Sequence, residues 1–261
     1  MDQLRYLVVI VTMYILLPIQ LHAEGLPPCR LVTTPTAGSL QGRTFMLDTQ
    51  LYDGGGVVHM VSIGIIDLVN VGVSYGGSYI IGSSHITWQP HACIQARVRI
   101  VEETMKNPAV SIGFDSQGDG PYRAGKGFNR FRLKSRGAYL VISRNYNLLG
   151  NLGFHGGVNY SLETDDNDHD PSFWGGVDKD IGNYIQLCCE YDFATNDNED
   201  ESITSNRGYL NAAIKWYVGN AFALEFDLKN ILRNNKKDIM GHFNDKPEAS
   251  REIRIMYRGR F

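Results

Sequence analysis

The sequence predicts an all-β fold, a transmembrane antiparallel β-barrel of about twelve strands with long external loops and short periplasmic turns. Three observations predict it. Segments whose apolar and polar residues alternate with a period of two follow one another from Phe45 to the C-terminus. The connectors between them alternate short and long in step with strand parity. The chain also ends on such a segment, Arg251 to Phe261, with Ile253, Ile255, Tyr257, Gly259 and Phe261 on one side and Arg254, Met256, Arg258 and Arg260 on the other.

Three divisions are expected along the chain. Residues 1–23 have a polar head with Arg5, an apolar run from Tyr6 to Leu17, Pro18 and a small residue at Ala23, the layout of a secretory signal peptide. The run is shorter than the roughly 20 residues of a spanning helix. Residues 24–42, rich in Pro and Thr, read as an irregular lead segment and a candidate plug. Residues 43–261 read as an outer-membrane barrel, which makes the cell outer membrane the expected location.

Composition permits this. The 261 residues are 43% hydrophobic with a net charge of −3, and the mean hydropathy is −0.22. Beyond the leader no long apolar stretch occurs, which excludes a helical membrane protein; a barrel tolerates low hydropathy because only alternate residues face lipid. Cys29, Cys93, Cys188 and Cys189 show no metal-ligand or paired spacing, and the adjacent Cys188 and Cys189 point to opposite faces of a strand. Two prolines before Cys29 argue against lipid attachment there.

The segments run in order. Phe45, Leu47 and Leu51 alternate with Met46, Asp48 and Gln50; Val57, Val61, Ile63 and Ile65 share a face with the misfit His59; Val69, Val71, Val73 and Tyr75 oppose Asn70, Gly72, Ser74 and Gly76. Ile94, Ala96, Val98 and Ile100 oppose Gln95, Arg97 and Arg99, and Val110, Ile112 and Phe114 oppose Ser111, Gly113 and Asp115. The stretch 134–145 is apolar in both phases near Tyr139 to Ile142, so its facing stays open. Leu152, Phe154, Val158 and Tyr160 oppose Gly153, His155, Gly157 and Asn159, and a shorter segment covers 173–180. Ile185, Leu187, Cys189, Tyr191 and Phe193 lead the next segment, Leu210, Ala212, Ile214 and Trp216 the one after it, and Phe222, Leu224, Phe226 and Leu228 the last before the C-terminal strand. Leu224, Leu228, Ile231 and Leu232 also fit helical spacing, so a helix over 222–232 in a soluble α+β domain is the competing reading.

Short connectors are expected near Asp67 and at 104–108, 148–150, 182–183 and 219–220, and long ones at 77–90, 116–130, 163–171, 194–208 and 230–250. Only 53–56 is a tight outward turn. Tyr75, Tyr160, Phe193, Trp216 and Phe261 at segment ends suit aromatic girdles. A C-terminal amphipathic strand with a final Phe resembles the signal read by the bacterial barrel-assembly machinery, with Tyr257 and Phe261 carrying it; that machinery and outer-membrane lipid are expected partners.

The stretches TPTAGSL at 34–40, VGVSYGGSYIIG at 71–82, PAVSIGFDSQGDGPY at 108–122, KSRGAYLVIS at 134–143 and FALEFDLKNIL at 222–232 resemble the YjbH-like outer-membrane proteins associated with exopolysaccharide gene clusters. The resemblance implies a barrel in the outer membrane of a Gram-negative cell, with a polysaccharide as an expected partner.

The inward phase defines the candidate pore lining. It holds Arg97, Arg99, Lys215, Arg254 and Arg258 with Asp115, Glu190, Asp192, Glu225 and Asp227. One reading is a charged pore for small polar or saccharide solutes, with passive or export-linked transport. The other is a closed structural or surface-interaction barrel, with Arg97 beside Asp115, Lys215 between Glu190 and Glu225, and Arg254 beside Asp227 cancelling one another. Inward Gly72, Gly113, Gly153 and Gly157 leave room along the wall or permit packing against an inserted segment. No enzyme is expected: no Ser stands near a His with an evident third partner, and the only tempting trio, His155 with Asn159 and Ser161, lies on an inward face whereas a lipid-acting site should face outward. Acidic runs at 165–170 and 197–202 lack the spacing of a calcium loop and read as solvated external loops. No cofactor, metal or nucleic-acid partner is expected.

Overall fold

Alternation with a period of two becomes a pleat only when each strand finds two neighbours. In a computed structural model, described over residues 29–125, 128–198, 204, 207–234 and 249–261, every alternating segment forms a strand. The leader at 1–23 and the start of the lead segment lie outside the described residues. The strands are β1 (Thr44–Tyr52), β2 (Gly56–Ile66), β3 (Val69–Ser78), β4 (Thr87–Trp88), β5 (Cys93–Val101), β6 (Ala109–Asp115), β7 (Asp119–Gly125), β8 (Phe128–Leu133), β9 (Gly137–Asn147), β10 (Asn151–Tyr160), β11 (Ser172–Ile181), β12 (Ile185–Asp192), β13 (Tyr209–Val218), β14 (Phe222–Lys229) and β15 (Ser250–Arg260).

Without β4, β7 and β8 they make a closed antiparallel barrel of 12 strands. Each barrel strand pairs with the next, and β1 closes on β15 from Thr44↔Arg260 to Leu51↔Ile253. The C-terminal strand therefore seals the wall, and no barrel strand keeps a free edge. Phe222–Lys229 is strand, not helix: it pairs with β13 on one side and β15 on the other. Pairing on both sides selects the period of two over the accidental helical spacing.

Burial follows the expected phases. Ile63, Val71, Val73, Ile94, Ile112, Leu187, Ile214 and Phe226 are exposed, whereas Asp48, Asp178, Glu190, Glu225 and Arg254 are buried. A wall with its apolar side chains out and its charges in has the polarity of a membrane-spanning barrel. His59, the outward misfit, is satisfied across the strand pair by Thr49 Oγ1, 2.9 Å from its Nδ1. Aromatic residues mark both rims: Tyr75, Tyr160 and Phe193 are exposed toward the long loops, and Trp216 and Phe261 toward the short turns. Cys188 is buried and Cys189 exposed, as adjacent strand residues must be.

The open facing of β9 is settled. Leu140 and Ile142 point out and Tyr139, Val141 and Ser143 point in. Val141, wholly buried, packs with Tyr139, Ala37, Ala109 and Trp174. The residues were apolar in both phases because this part of the lumen has an apolar occupant. The connector after β6 also differs from expectation: it contains the β7–β8 hairpin, paired from Asp119↔Leu133 to Gly125↔Phe128.

A charged residue at mid-wall on the outer face tests the lipid-facing assignment. Ile214→Arg is expected to lower folding stability in bilayers by about 2–4 kcal/mol, where an exposed site on a soluble protein would change by about 0.5 kcal/mol or less; equilibrium unfolding from phosphatidylcholine vesicles measures it.

Candidate functional site

The lumen is the candidate site, and residues 29–42 are in it. The segment doubles back on itself: Arg30 bridges Pro35, and Leu31 N–H donates to Thr34 O at 2.9 Å. This turn aims successive backbone N–H groups at β12. Glu190 accepts from the N–H groups of Val32, Thr33 and Thr34 at 2.9, 2.9 and 3.0 Å and from the hydroxyls of Thr33 and Thr34 at 2.6 and 2.7 Å. Asn211 Nδ2 donates to it at 2.8 Å. A buried carboxylate is tolerated only when hydrogen-bonded so fully.

Donors from β5, β6, β11 and β13 hold the segment's carbonyls. Arg97 donates to Cys29 O at 2.9 Å, Gly38 O at 2.6 Å and the Tyr139 hydroxyl at 3.0 Å. Lys215 Nζ donates to Arg30 O at 2.8 Å and Trp174 Nε1 to Pro35 O at 3.3 Å. Ser111 donates to Ala37 O at 3.1 Å, and Ala37 N–H donates to Ser143 Oγ at 2.8 Å. Gly176 leaves the space that Leu31 fills; a Cβ there would overlap the leucine.

His155 completes this seat from behind. Its Nδ1 lies 2.7 Å from Ser143 Oγ and its Nε2 2.6 Å from Asp178 Oδ1. A carboxylate at Nε2 requires a proton there, and in the neutral ring Nδ1 then accepts from Ser143. The trio suggested by sequence is not assembled: Asn159 Nδ2 donates to Arg136 O and Ser161 accepts from Glu163 N–H. The partners lie on neighbouring strands at positions that single-strand spacing does not reveal.

The other lining residues take different partners. Glu225 holds Arg30 of the inserted segment, 3.1 Å away. Arg254 bonds Asp48 at 3.0 Å and Gln50 at 2.7 Å rather than Asp227, and Asp115 takes Gln95 at 2.6 Å rather than Arg97. Lys215 is opposite Glu225, with their charged atoms 3.9 Å apart, but is opposite Gln186, not Glu190, on its other side. Register explains these corrections: Arg97 and Asp115, and Arg254 and Asp227, are offset by two positions on paired strands and Lys215 and Glu190 by four, so they meet diagonally or not at all. Asp227 is buried with no partner for either oxygen among the described residues. Arg99 donates to Asp67 O at 3.2 Å and Arg258 to Asn220 O at 3.1 Å, both at the short-turn rim. Tyr257 lies against Phe45 with ring centroids 6.1 Å apart, and Phe261 is exposed.

No family model and no curated protein matches the chain. Among solved structures it is similar to the KdgM porin, at 10% identity over 84% of this chain and 99% of that one with a TM-score of 0.47. It is also similar to the NanC porin, at 11% identity over 83% and 99% with a TM-score of 0.45. The Acinetobacter baumannii outer membrane protein Omp33 is similar at 11% identity over 85% and 100%, with a TM-score of 0.42.

Loops close over the lumen at the other end. Arg130 Nη1 pairs with Asp166 at 2.6 Å and Asp197 at 2.7 Å, Lys134 with Asp166 at 2.7 Å, and Arg136 with Asp192 at 2.5 Å. Asp166, Asp168 and Asp197 are buried, which corrects the solvated reading at these three positions, whereas Asp165 and Asp170 are exposed and 199–202 lie outside the described residues. The charges of Asp166 and Asp197 are matched by cations of the 116–136 connector, a long-range pairing invisible in either loop alone, and Asp168 accepts from the N–H groups of Asp170 and Asn198. Burial would lower the Arg130 pKa, but Asp197, Asp166 and Glu163 outweigh it and raise it. Burial pushes Glu163 up against the N–H groups of Ser135 and Phe131. Asp119, 2.8 Å from Lys229, would also be raised by burial, but Lys229, Gln50 and Arg132 hold it well below the usual carboxylate range.

Two outcomes follow from the seat and the loop closure. Glu190→Ala removes the charged acceptor of three N–H groups, and at about 1.5–3 kcal/mol for one such bond amide exchange at residues 32–34 is expected to rise on the order of 100-fold, with β12 and β13 unchanged, by mass-spectrometric hydrogen exchange. Because the Asp119 pKa is depressed on folding, its contribution is fully present above the unfolded value of about 3.9 and is lost as pH falls through the folded one. Asp119→Asn should lower the thermal midpoint at pH 7 and narrow its gap from the parent protein as pH drops below about 4, read by heat-dependent gel mobility.

Proposed function

We propose that this protein is an outer-membrane channel for small polar or saccharide solutes, closed by residues 29–42 as a displaceable plug. The observation that carries the reading is the polarity of the plug's seat. Glu190, Arg97, Lys215, Ser111 and Ser143 hold it through hydrogen bonds, each of which water can replace when the segment leaves. A permanent filling gains more from apolar contact, and here the buried apolar clusters of the segment are small: Leu31 and Val32 with Cys188 and Ala213, and Ala37 with Ala109, Tyr139, Val141 and Trp174. A wall left with Arg97, Lys215, Glu190 and Glu225 facing water is the wall of an aqueous path. Export through the leader at 1–23 and assembly through Tyr257 and Phe261 belong to this reading, as does the saccharide role implied by the likeness to YjbH-like proteins.

A second reading is favoured by the buried Arg130, Asp166 and Asp197 cluster: a permanently closed barrel whose loops form an interaction surface. Planar-bilayer conductance separates the two. Protein lacking residues 1–23 is expected to be silent or to open briefly; protein also lacking 24–42 is expected to give steady ion-selective steps, with selectivity changed by Arg97→Glu. A deletion protein that is folded by heat-dependent mobility yet silent would establish the closed barrel instead.

A further inference from the structure

Arg30 is the only charged residue between Gly25 and Gly42, and the lumen is built around its guanidinium. Nη1 donates to Glu225 Oε1 at 3.3 Å and Nη2 to Glu225 Oε2 at 3.1 Å, the two-pronged arrangement by which a carboxylate receives a planar fork. Nη2 also reaches Asp48 Oδ2 at 3.4 Å, and Met256 Sδ lies 3.7 Å away. Glu225 and Asp48 are at most 2% exposed.

The carboxylates have capacity to spare. Asp48 Oδ1 and both oxygens of Asp227, a residue 4% exposed, have no hydrogen-bond partner among the described residues. Arg30 shares Glu225 with Lys215 and Asp48 with Arg254. Without Arg30, Glu225 loses its two-pronged partner and keeps one ion pair, with Lys215 at 3.9 Å, in a buried site where a poorly compensated charge is strongly unfavourable. Beside Arg30 lies a cavity of ≈ 60 Å³ whose lining includes Met46, Ala223 and Met256 together with Lys215 and Arg258. Its apolar side suits an alkyl group better than a hydrated metal ion, with the charged end of such a solute at Glu225 and Asp48.

We infer that Glu225, Asp48 and Asp227 form a binding site for guanidinium or alkylammonium solutes, and that Arg30 is a tethered occupant which a passing cation replaces when the plug leaves. The inference deepens the channel reading by naming its solute class; it rests on that reading for passage, and binding is tested separately. In the barrel with Arg30→Ala, ethylguanidinium should bind by titration calorimetry and raise the thermal midpoint. Binding should be at least about tenfold weaker in Arg30→Ala with Glu225→Gln and undetectable in the parent protein. Equal behaviour of Arg30→Ala and the parent, or no loss with Glu225→Gln, overturns the site and leaves a structural ion pair only. Should Arg30→Ala fail to fold, refolding in millimolar ethylguanidinium reads the same site: recovery supports it, and failure beside a folded Arg30→Lys protein overturns it. Binding without conductance in the 24–42 deletion would sink the channel and keep the site; conductance without binding would do the reverse.

Discussion

A wall surrounded by lipid must pair every backbone N–H and C=O within itself, and this constraint organises the whole chain. It forces β1 onto β15, so the last strand is as structural as the first. Closure then divides the side chains into two sets with opposite needs. The outer set is apolar. The inner set is charged and cut off from lipid, so each of its members requires a partner or water.

Twelve strands enclose more space than their own inward side chains fill, and residues 29–42 occupy part of it. The segment is held less by apolar contact than by ions whose partners are peptide groups. Glu190 gathers consecutive N–H groups on one side and Arg97 gathers carbonyls on the other. The pattern resembles the way helix termini meet charged residues, with a compact turn in place of the helix. His155, between Ser143 and Asp178, fixes the orientation of one more anchor without touching the segment through its ring nitrogens.

The mouth carrying the long loops uses a different solution. There Arg130, Lys134 and Arg136 are brought by a single connector to carboxylates from three other segments, and every ion is desolvated. Such pairs add little net stability relative to apolar packing, yet breaking one leaves a buried charge. They therefore specify one arrangement of the loops. Seat and mouth are separately wired, with Arg136 joining them through Thr33 Oγ1 at 3.2 Å.

Sequence alone determined the barrel, its strand parity, the inward and outward sets and the rims of aromatic residues, because lipid and lumen impose a strict alternation on every strand. It located Glu190, Glu225 and Arg97 on the inner wall for the same reason. It could not assign partners: Asp115 meets Gln95 instead of Arg97, and Arg254 meets Asp48 instead of Asp227, since pairing depends on register across strands. Tyr139, Ser143 and Trp174 passed unnoticed as parts of the seat because their role exists only when residues 29–42 lie against them. Arg30 and the buried aspartates of the loops were hidden likewise. What tertiary structure decided is the filling of the lumen, for the period of a strand reports which side a residue faces and carries no information about what will come to occupy that side.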